Sequence, residues 1–417
     1  MNDTAAAAPQ PSPDTPWQPL AGVRVVDFSA LLPGPLAGAI LADLGAEVVK
    51  IEPTGGEGVR HRAVLAPILH AANRSKASLT IDLKREGAAA VVERLARWGD
   101  VALESFRPGV AARLGIDHAS LSAANPRIIS CSVSGYGQNG PWRDMPGHDL
   151  NFLAAGGAFA FSGHWTGRPR RSGMPVADLL GAGNAAIAIL AALNERQRTG
   201  RGMALDVSLM DAVLFGVSMR HGLDRDHWAP DSPYPTNDIF TTADDREIAL
   251  GVGSEEHLWE NFRKVMAPDM PMILESRFDT DAGRREHGDA LFAALTETIA
   301  RRDAADWMAR FEAADVPANL CLFPPEAVAS DHVRARGFVT EVGGQVLSAF
   351  PVAADGRHPQ IRRPAPELGS GTREILAMLD FAPASVEELL RDGVVADGPK
   401  GRGWAWRGCW KGSGGSI

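Results

Sequence analysis

The sequence predicts an α/β protein with a mostly parallel sheet, followed by a smaller and more helical region. Three observations lead there. Short runs rich in valine and isoleucine alternate with amphipathic runs from about residue 23 to about residue 210, the pattern of strands joined by crossover helices. The chain has 417 residues, more than one hydrophobic core usually organises, so two domains or one large discontinuous domain is expected. Composition then changes near Arg220, where HGLDRDHWAPDSPYPTNDIF is rich in aspartate and proline and marks a boundary.

The first unit is read from GVRVVDFSALLPGPLAGAILADLGAEVVKIEP. It gives a strand from Val23 to Phe28, a turn with Pro33, Gly34 and Pro35, a helix to Leu44 and a strand from Glu47 to Ile51. Gly34 and Gly38 permit close backbone approach at a helix start, which suits a phosphate, and Glu52 stands where a ribose partner sits in such units. Small residues in a strand-to-helix turn serve equally as packing devices. The GxGxxG spacing of nicotinamide dehydrogenases is absent. The alternation continues through the strand SKASLTIDL, the helix EGAAAVVERLARWG, the strand DVALESF leading into RPGVAARLG, a helix from His118 and the strand RIISCSVSG. Ligands of parallel sheets belong at the carboxyl ends of the strands. Lys50, Lys76, Phe106, Arg107 and Ser134 each fall near such an end, either as one crevice or as solvated loop residues.

The stretch from Pro141 to Asn184 holds the strongest catalytic candidates. His148 and Asp149 stand between Gly147 and an apolar run, and Asp178 lies at the mouth of the small-residue helix LLGAGNAAIAILAAL. Asp178 is expected half buried at a helix start, where free N–H groups and the helix dipole favour an ionised carboxylate. Phe152 to Trp165, including Phe159 and Phe161, are candidates either for pocket lining or for core. The Asp178 helix continues to NERQRTG, and RGMALDVSLMDAVLFGVS gives a strand and a helix. Beyond the boundary, DREIALGVGS is a strand, HLWENFRKVM a helix, and DALFAALTETIARRDAADWMARFEAADV is helical. FVTEVGGQVLSAFPV has strand alternation, and TREILAMLDF and SVEELLRDGVV give two short helices. The expected layout is a tail over 1–17, a large domain over 18–220, a small domain over 221–326, a return segment over 327–397 and a tail over 398–417.

Hydrophobic residues make up 45% and charged residues 22%, the balance of a soluble protein, and no apolar run nears the roughly 18 residues of a membrane span. The start MNDTAAAAPQPSPDTPWQ lacks the basic and apolar regions of a signal peptide. Cys131, Cys321 and Cys409 are widely spaced without a CxxC pair or histidine cluster, so a reduced, cytoplasmic protein without a metal site is expected. A net charge of −9 argues against nonspecific nucleic-acid binding and leaves room for a local basic pocket.

The sequence resembles the class III CoA-transferase family, which includes formyl-CoA and carnitine CoA-transferases and α-methylacyl-CoA racemase. The resemblance runs through LAGVRVVDFS, GPLAGAILADLGAEVVKIEP, NRSKASLTIDLK, ESFRPGVAARLG, SGYGQNGPW, GHDLNF, the Asp178 helix, RTGRGMALDVSLMDAV and APELGSGTREIL, in the family's order. It implies a Rossmann-like large domain built from both ends of the chain, a smaller mostly helical α/β domain between them, and an interlocked homodimer. Coenzyme A, entering as a substrate thioester, would lie near Gly34, Lys50, Lys76 and the loop from Phe106 and Arg107 to Arg113. Where the family commonly has asparagine, this chain has Ser105.

In the transferases the residue matching Asp178 is a nucleophile toward the acyl-CoA donor, and a carboxylic acid is the acceptor. Backbone N–H groups of Gly251 to Ser254 are the expected oxyanion source, and Gly253, Ser254 and Glu255 the expected oxyanion or substrate loop. In the racemases a histidine and an aspartate exchange a proton at the α-carbon. Here the matching pair is His148 and Asp178, 30 residues apart as in the racemase pattern. The racemase glutamate, however, falls on Ser254 with Glu255 one residue late, and GVGSEEHLW resembles the transferase form. CoA transfer is the expected reaction and α-methylacyl-CoA epimerisation the alternative, with Asp149 in a structural role.

Overall fold

The computed structural model describes residues 15–161, 173–218 and 234–398, with the side chains of residues 160 and 161 excepted. These divide into two compact units, one of 15–156, 173–216 and 332–398 and the other of 157–161, 217–218 and 234–331.

The first unit is built on a six-stranded sheet of β1 (Arg24–Asp27), β2 (Glu47–Glu52), β3 (Lys76–Thr80), β4 (Val101–Glu104), β5 (Ile129–Ser134) and β6 (Ala204–Ser208). Every neighbouring pair is parallel, and the spatial order is β3-β2-β1-β4-β5-β6. The chain moves outward from β1 to β3 and then resumes at β4 on the other side of β1. That reversal opens a crevice at the carboxyl ends of β1 and β4, where doubly wound sheets take their ligands.

The helices of this part are α1 (Pro33–Asp43), α2 (Ala66–Asn73), α3 (Ala88–Trp98), α4 (Val110–Arg113), α5 (His118–Ala124), α6 (Asp149–Ala155), α7 (Val176–Thr199) and α8 (Leu209–Gly216). Helix α3 buries Ala88, Val91, Val92, Leu95 and Ala96, a single stripe at helical spacing, and joins the core with Val26, Val49 and Leu79 of the strands. Helix α7 packs on α1, α6 and α8 and along β5 and β6. It buries Gly181, Ala182, Ala185, Ala186 and Ile189, and a Cβ on Gly181 would collide with Leu209, so small residues set its close approach to α8. The expectation that no run nears a membrane-spanning length is corrected here. Val176–Thr199 is long and apolar enough by length and composition, because a helix laid against a parallel sheet needs an apolar, small-residue surface.

The second unit has an antiparallel sheet, β7 (Ile239–Thr241), β8 (Glu247–Leu250) and β9 (Ala318–Leu320), in the order β7-β8-β9. Helices α9 (Glu256–Met266), α10 (Asp281–Glu286), α11 (Gly288–Ile299), α12 (Ala304–Ala313) and α13 (Pro324–Ala329) accompany it. Its core is aromatic, with Trp307 stacked on Phe311 at 5.5 Å and Phe311 on Phe262 at 6.0 Å.

The chain then continues through α14 (Asp331–Arg336), β10 (Val339–Val342), β11 (Gln345–Ser348), α15 (Thr372–Met378) and α16 (Pro383–Arg391). The alternating segment pairs with itself as a hairpin instead of adding a strand to the large sheet. Ile375, Leu376, Leu379 and Val386 complete the core around β3 and α3. Expectations for the tails before residue 15 and after residue 398, for Trp165 and for the side chain of Phe161 lie outside the described residues.

Candidate active site

A cavity of about 570 Å³ opens at the topological reversal of the first unit. Its walls are Ala30 and Leu31 after β1, Ser105 to Pro108 after β4, Ser134 and Gly135 at the end of β5, Arg143, the loop from Met145 to Asp149, and Asp178. Phe106, Arg107, Ser134, His148 and Asp178, singled out separately in the sequence, therefore face one space. Its volume is that of a small-molecule site.

Packing fixes the approach to His148. The ring of Phe152 on α6 is gripped between Gly135 and Gly147, where a Cβ on either glycine would stand 2.5 Å from its Cε1. Tyr136 meets the same ring edge-on at 5.2 Å. His148, extended and exposed, caps the start of α6, and its backbone N–H donates to Asn151 Oδ1 at 3.0 Å. Phe152, 4% exposed, is thus a core residue that also forms a cavity wall.

Asp178 sits in the first turn of α7 and is half-buried. The residue before the helix is Pro175, which supplies no capping side chain. Asp149 reaches across from α6 instead, its Oδ1 accepting from the backbone N–H of Ala177 at 2.7 Å and of Asp178 at 3.2 Å. Burial, and then the charge of Asp149, push the Asp178 carboxyl up to about 7. This corrects the expectation of a helix start that favours ionised Asp178. The donors that would have favoured the anion are already taken, and by a second negative charge.

The other walls are held by backbone contacts. Buried Glu104 accepts from Phe106 N–H at 2.7 Å. Ser105 Oγ accepts from Ala30 N–H at 2.9 Å and lies 3.3 Å from Ala30 O, tying the loop after β4 to the loop after β1. The hydroxyl that replaces the family's asparagine is therefore engaged within the protein. Leu31 adopts φ +67°, a conformation costing an L-residue roughly 1–2 kcal/mol, and its N–H is held by Glu57 Oε2 at 2.9 Å. Ser134 Oγ is buried with no hydrogen-bond partner among the described residues. Arg113 lies outside the cavity lining. Its guanidinium and that of Arg143 stand 3.7 Å and 3.9 Å from where a Cβ on Gly109 would be, so both flank the Gly109 turn. Sequence reasoning passed over Arg143 and Leu31. Arg143 had a signal in its place within PWRDMPGHD, whereas nothing in the residue type of Leu31 marks a left-handed backbone.

Lys50 and Lys76 do not face the crevice. Both are fully buried. Lys76 Nζ donates to Asp27 Oδ2 at 2.7 Å, Pro35 O at 2.7 Å and Asn73 Oδ1 at 3.1 Å. Lys50 Nζ pairs with Glu57 at 3.1 Å and also donates to Ser29 O. Burial opposes ionisation of Asp27, yet Lys76 and Lys50 outweigh it and hold this carboxyl below its ordinary value. Glu52 is closed in turn by Arg60, with contacts of 2.6 Å and 2.8 Å. The small residues of the first turn serve this network. Gly38 leaves room for Lys76 and Asp27, while a Cβ on Gly34 would strike Ser29. With prolines at 33 and 35, the start of α1 also lacks two of the N–H groups a phosphate would use.

Gly253, Ser254 and Glu255 belong to the second unit, between β8 and α9. Gly251 N–H donates to Pro317 O at 2.9 Å, and the Ser254 side chain hydrogen-bonds Tyr234. Phe159 is half-buried in the same unit.

Comparison with known proteins adds to this geometry. The model of CoA-transferase family III matches residues 20–372. The acetyl-CoA:oxalate CoA-transferase of Acetobacter aceti is 33% identical over 376 residues, covering 86% of this chain and 95% of that protein. The α-methylacyl-CoA racemase of Mus musculus is 30% identical, covering 90% and 97%. Among solved structures, a CAIB/BAIF family protein from Brucella suis superposes with a TM-score of 0.79 at 27% identity, over 87% of this chain and all of that one.

Proposed function

Because this chain belongs to CoA-transferase family III, we propose that it moves coenzyme A from an acyl-CoA thioester to a carboxylic acid with Asp178 as the nucleophile. The observation that carries this reading is a half-buried carboxyl of raised basicity, opening on the cavity at the reversal of the sheet.

The Asp178 carboxylate adds to the thioester carbonyl, the C–S bond breaks, and CoA leaves as thiolate with an acyl-aspartyl anhydride left behind. The thiolate then attacks the aspartyl carbonyl, releasing the donor acid and leaving an aspartyl-CoA thioester. The acceptor carboxylate reverses the two steps. With its carboxyl pushed up to about 7, the Asp178 anion is more basic than an ordinary aspartate. Partial burial limits water, which would hydrolyse the anhydride.

Phe106, Arg107 and Arg113, joined by Arg143, are the residues we assign to coenzyme A, and Ser134 Oγ is free to bond the substrate. Gly253, Ser254 and Glu255 keep the role of substrate loop that the family pattern gives them. An interlocked homodimer is inferred from the same pattern, supported by the exposed apolar side chains Leu180 and Ile187 on α7 and Leu214 and Phe215 on α8. The free thiols Cys131 and Cys321 agree with a cytoplasmic setting.

One observation favours a second reading. His148 shares the cavity with Asp178, and a carboxyl near 7 suits proton exchange at an acyl-CoA α-carbon as a racemase requires. Incubation with a chiral 2-methylacyl-CoA in deuterium oxide separates the two. CoA transfer that depends on an added carboxylate is expected, and α-deuteration without any acceptor would overturn the proposal in favour of epimerisation.

A further inference from the structure

We propose that Asp149 is a positioning residue for Asp178: by occupying the N–H groups of Ala177 and Asp178, its carboxylate fixes the start of α7 and leaves the Asp178 side chain free for substrate. The inference rests on the reading of Asp178 as the reacting group.

The geometry is unusual for a cap. A helix of 24 residues starts after Pro175, whose side chain caps nothing, and the missing acceptor comes from a residue 28 positions earlier, at the first position of another helix. A carboxylate in a first turn would otherwise fold back onto its own free N–H groups and become a weaker base. With Asp149 in place those donors are saturated. Asp149 also follows His148 directly, so one side chain ties the His148 turn to the Asp178 turn and sets the two cavity walls in register.

Charge acts in the same direction. The elements packed on α7 bring Asp149 on α6 with His148 just before it, Asp43 on α1, Asp206 on β6, Cys131 on β5 and Asp211 on α8. Arg107 and Arg143 line the cavity from the loops. Asp149 is the group among these whose charge raises the Asp178 carboxyl. A cap that merely held the helix could be an asparagine with no effect on Asp178.

The test uses Asp149→Asn, which keeps an acceptor oxygen and removes the charge, and Asp149→Ala, which removes both. The first readout is the pH midpoint of carbodiimide labelling at Asp178, followed by peptide mass spectrometry, which needs no turnover. Asp149→Asn is expected to lower this midpoint by about one pH unit and to move the acid limb of kcat/KM with it. Asp149→Ala is expected to lower kcat about tenfold or more, with KM for acyl-CoA changed less than about threefold. An unchanged labelling midpoint in Asp149→Asn overturns the inference, as does a kcat in Asp149→Ala equal to that of the wild type. A shifted midpoint in proteins that transfer no CoA supports the positioning role and counts against the proposed reaction alone.

Discussion

Asp149 Oδ1 accepts the backbone N–H of Asp178 at 3.2 Å while its charge raises the carboxyl of the same residue. One aspartate thus supports the backbone of the other and opposes its ionisation. The carboxyl of Asp178 thereby forgoes the electrostatic stabilisation a helix start normally gives an anion.

That loss is measurable as pH-dependent stability. Asp178 titrates near 7 in the folded chain and near 4 when unfolded, so the folded state holds the extra proton between these values. Stability is lost as pH rises through that window. Asp178→Asn should be more stable than the wild type at pH 8, by about 1–2 kcal/mol after allowance for partial exposure, with the difference vanishing near pH 4. Thermal unfolding of both proteins at the two pH values checks this, and equal differences at pH 4 and pH 8 would contradict it.

Lys76 offers a contrast between a structural and a ligand role. Lys76→Met leaves Asp27 charged and buried without its ion-pair partner, and a loss of about 3–5 kcal/mol is expected. Asp27→Asn combined with Lys76→Met should recover part of it. A Lys76→Met protein that melts like the wild type but shows a much higher KM for acyl-CoA would return this lysine to the ligand.

Gly147→Ala tests how His148 is held. The added methyl would stand 2.5 Å from the Phe152 ring, so either the ring or the loop before His148 moves. A fall in activity of about tenfold or more is expected, with a stability loss of about 1–3 kcal/mol from overpacking. Full activity with a wild-type melting temperature would mean that the Phe152 contact does not set the loop.

The large sheet could be read from the sequence because its strands carry β-branched runs and α3 and α7 carry clean buried surfaces. The short helices α2, which buries only Ala72 and Asn73, and α6, which buries only Phe152 and Leu153, show no stripe and could not be read. That His148, Asp178, Phe106 and Arg107 face one cavity could be read because strand ends and glycine-rich turns mark the crevice of a parallel sheet. Lys50 and Lys76 misled for the same reason. They lie on strands that lead to the crevice, yet their ammonium groups find Glu57 and Asp27, partners 7 and 49 residues away that no local pattern reveals. The cap from Asp149 to α7 was hidden likewise, since it joins residues 28 apart through side-chain direction alone.

His148 separates the two chemistries. His148→Gln should retain acceptor-dependent CoA transfer to within about tenfold, since Asp178, the proposed nucleophile, and the rest of the cavity remain. An epimerase with the same substitution loses its second acid/base group and about 10²–10⁴ in rate. Parallel assays of CoA transfer and α-proton exchange on this variant give the comparison.

The most direct measurement of the central claim is the covalent state of Asp178 during turnover. The protein is incubated with an acyl-CoA donor without acceptor, trapped with hydroxylamine and digested, and the Asp178 peptide is weighed. An aspartyl hydroxamate at Asp178, absent when acyl-CoA is omitted, is the predicted result. An unmodified Asp178 peptide from protein that is actively transferring CoA, or a hydroxamate at another carboxylate, would contradict the account.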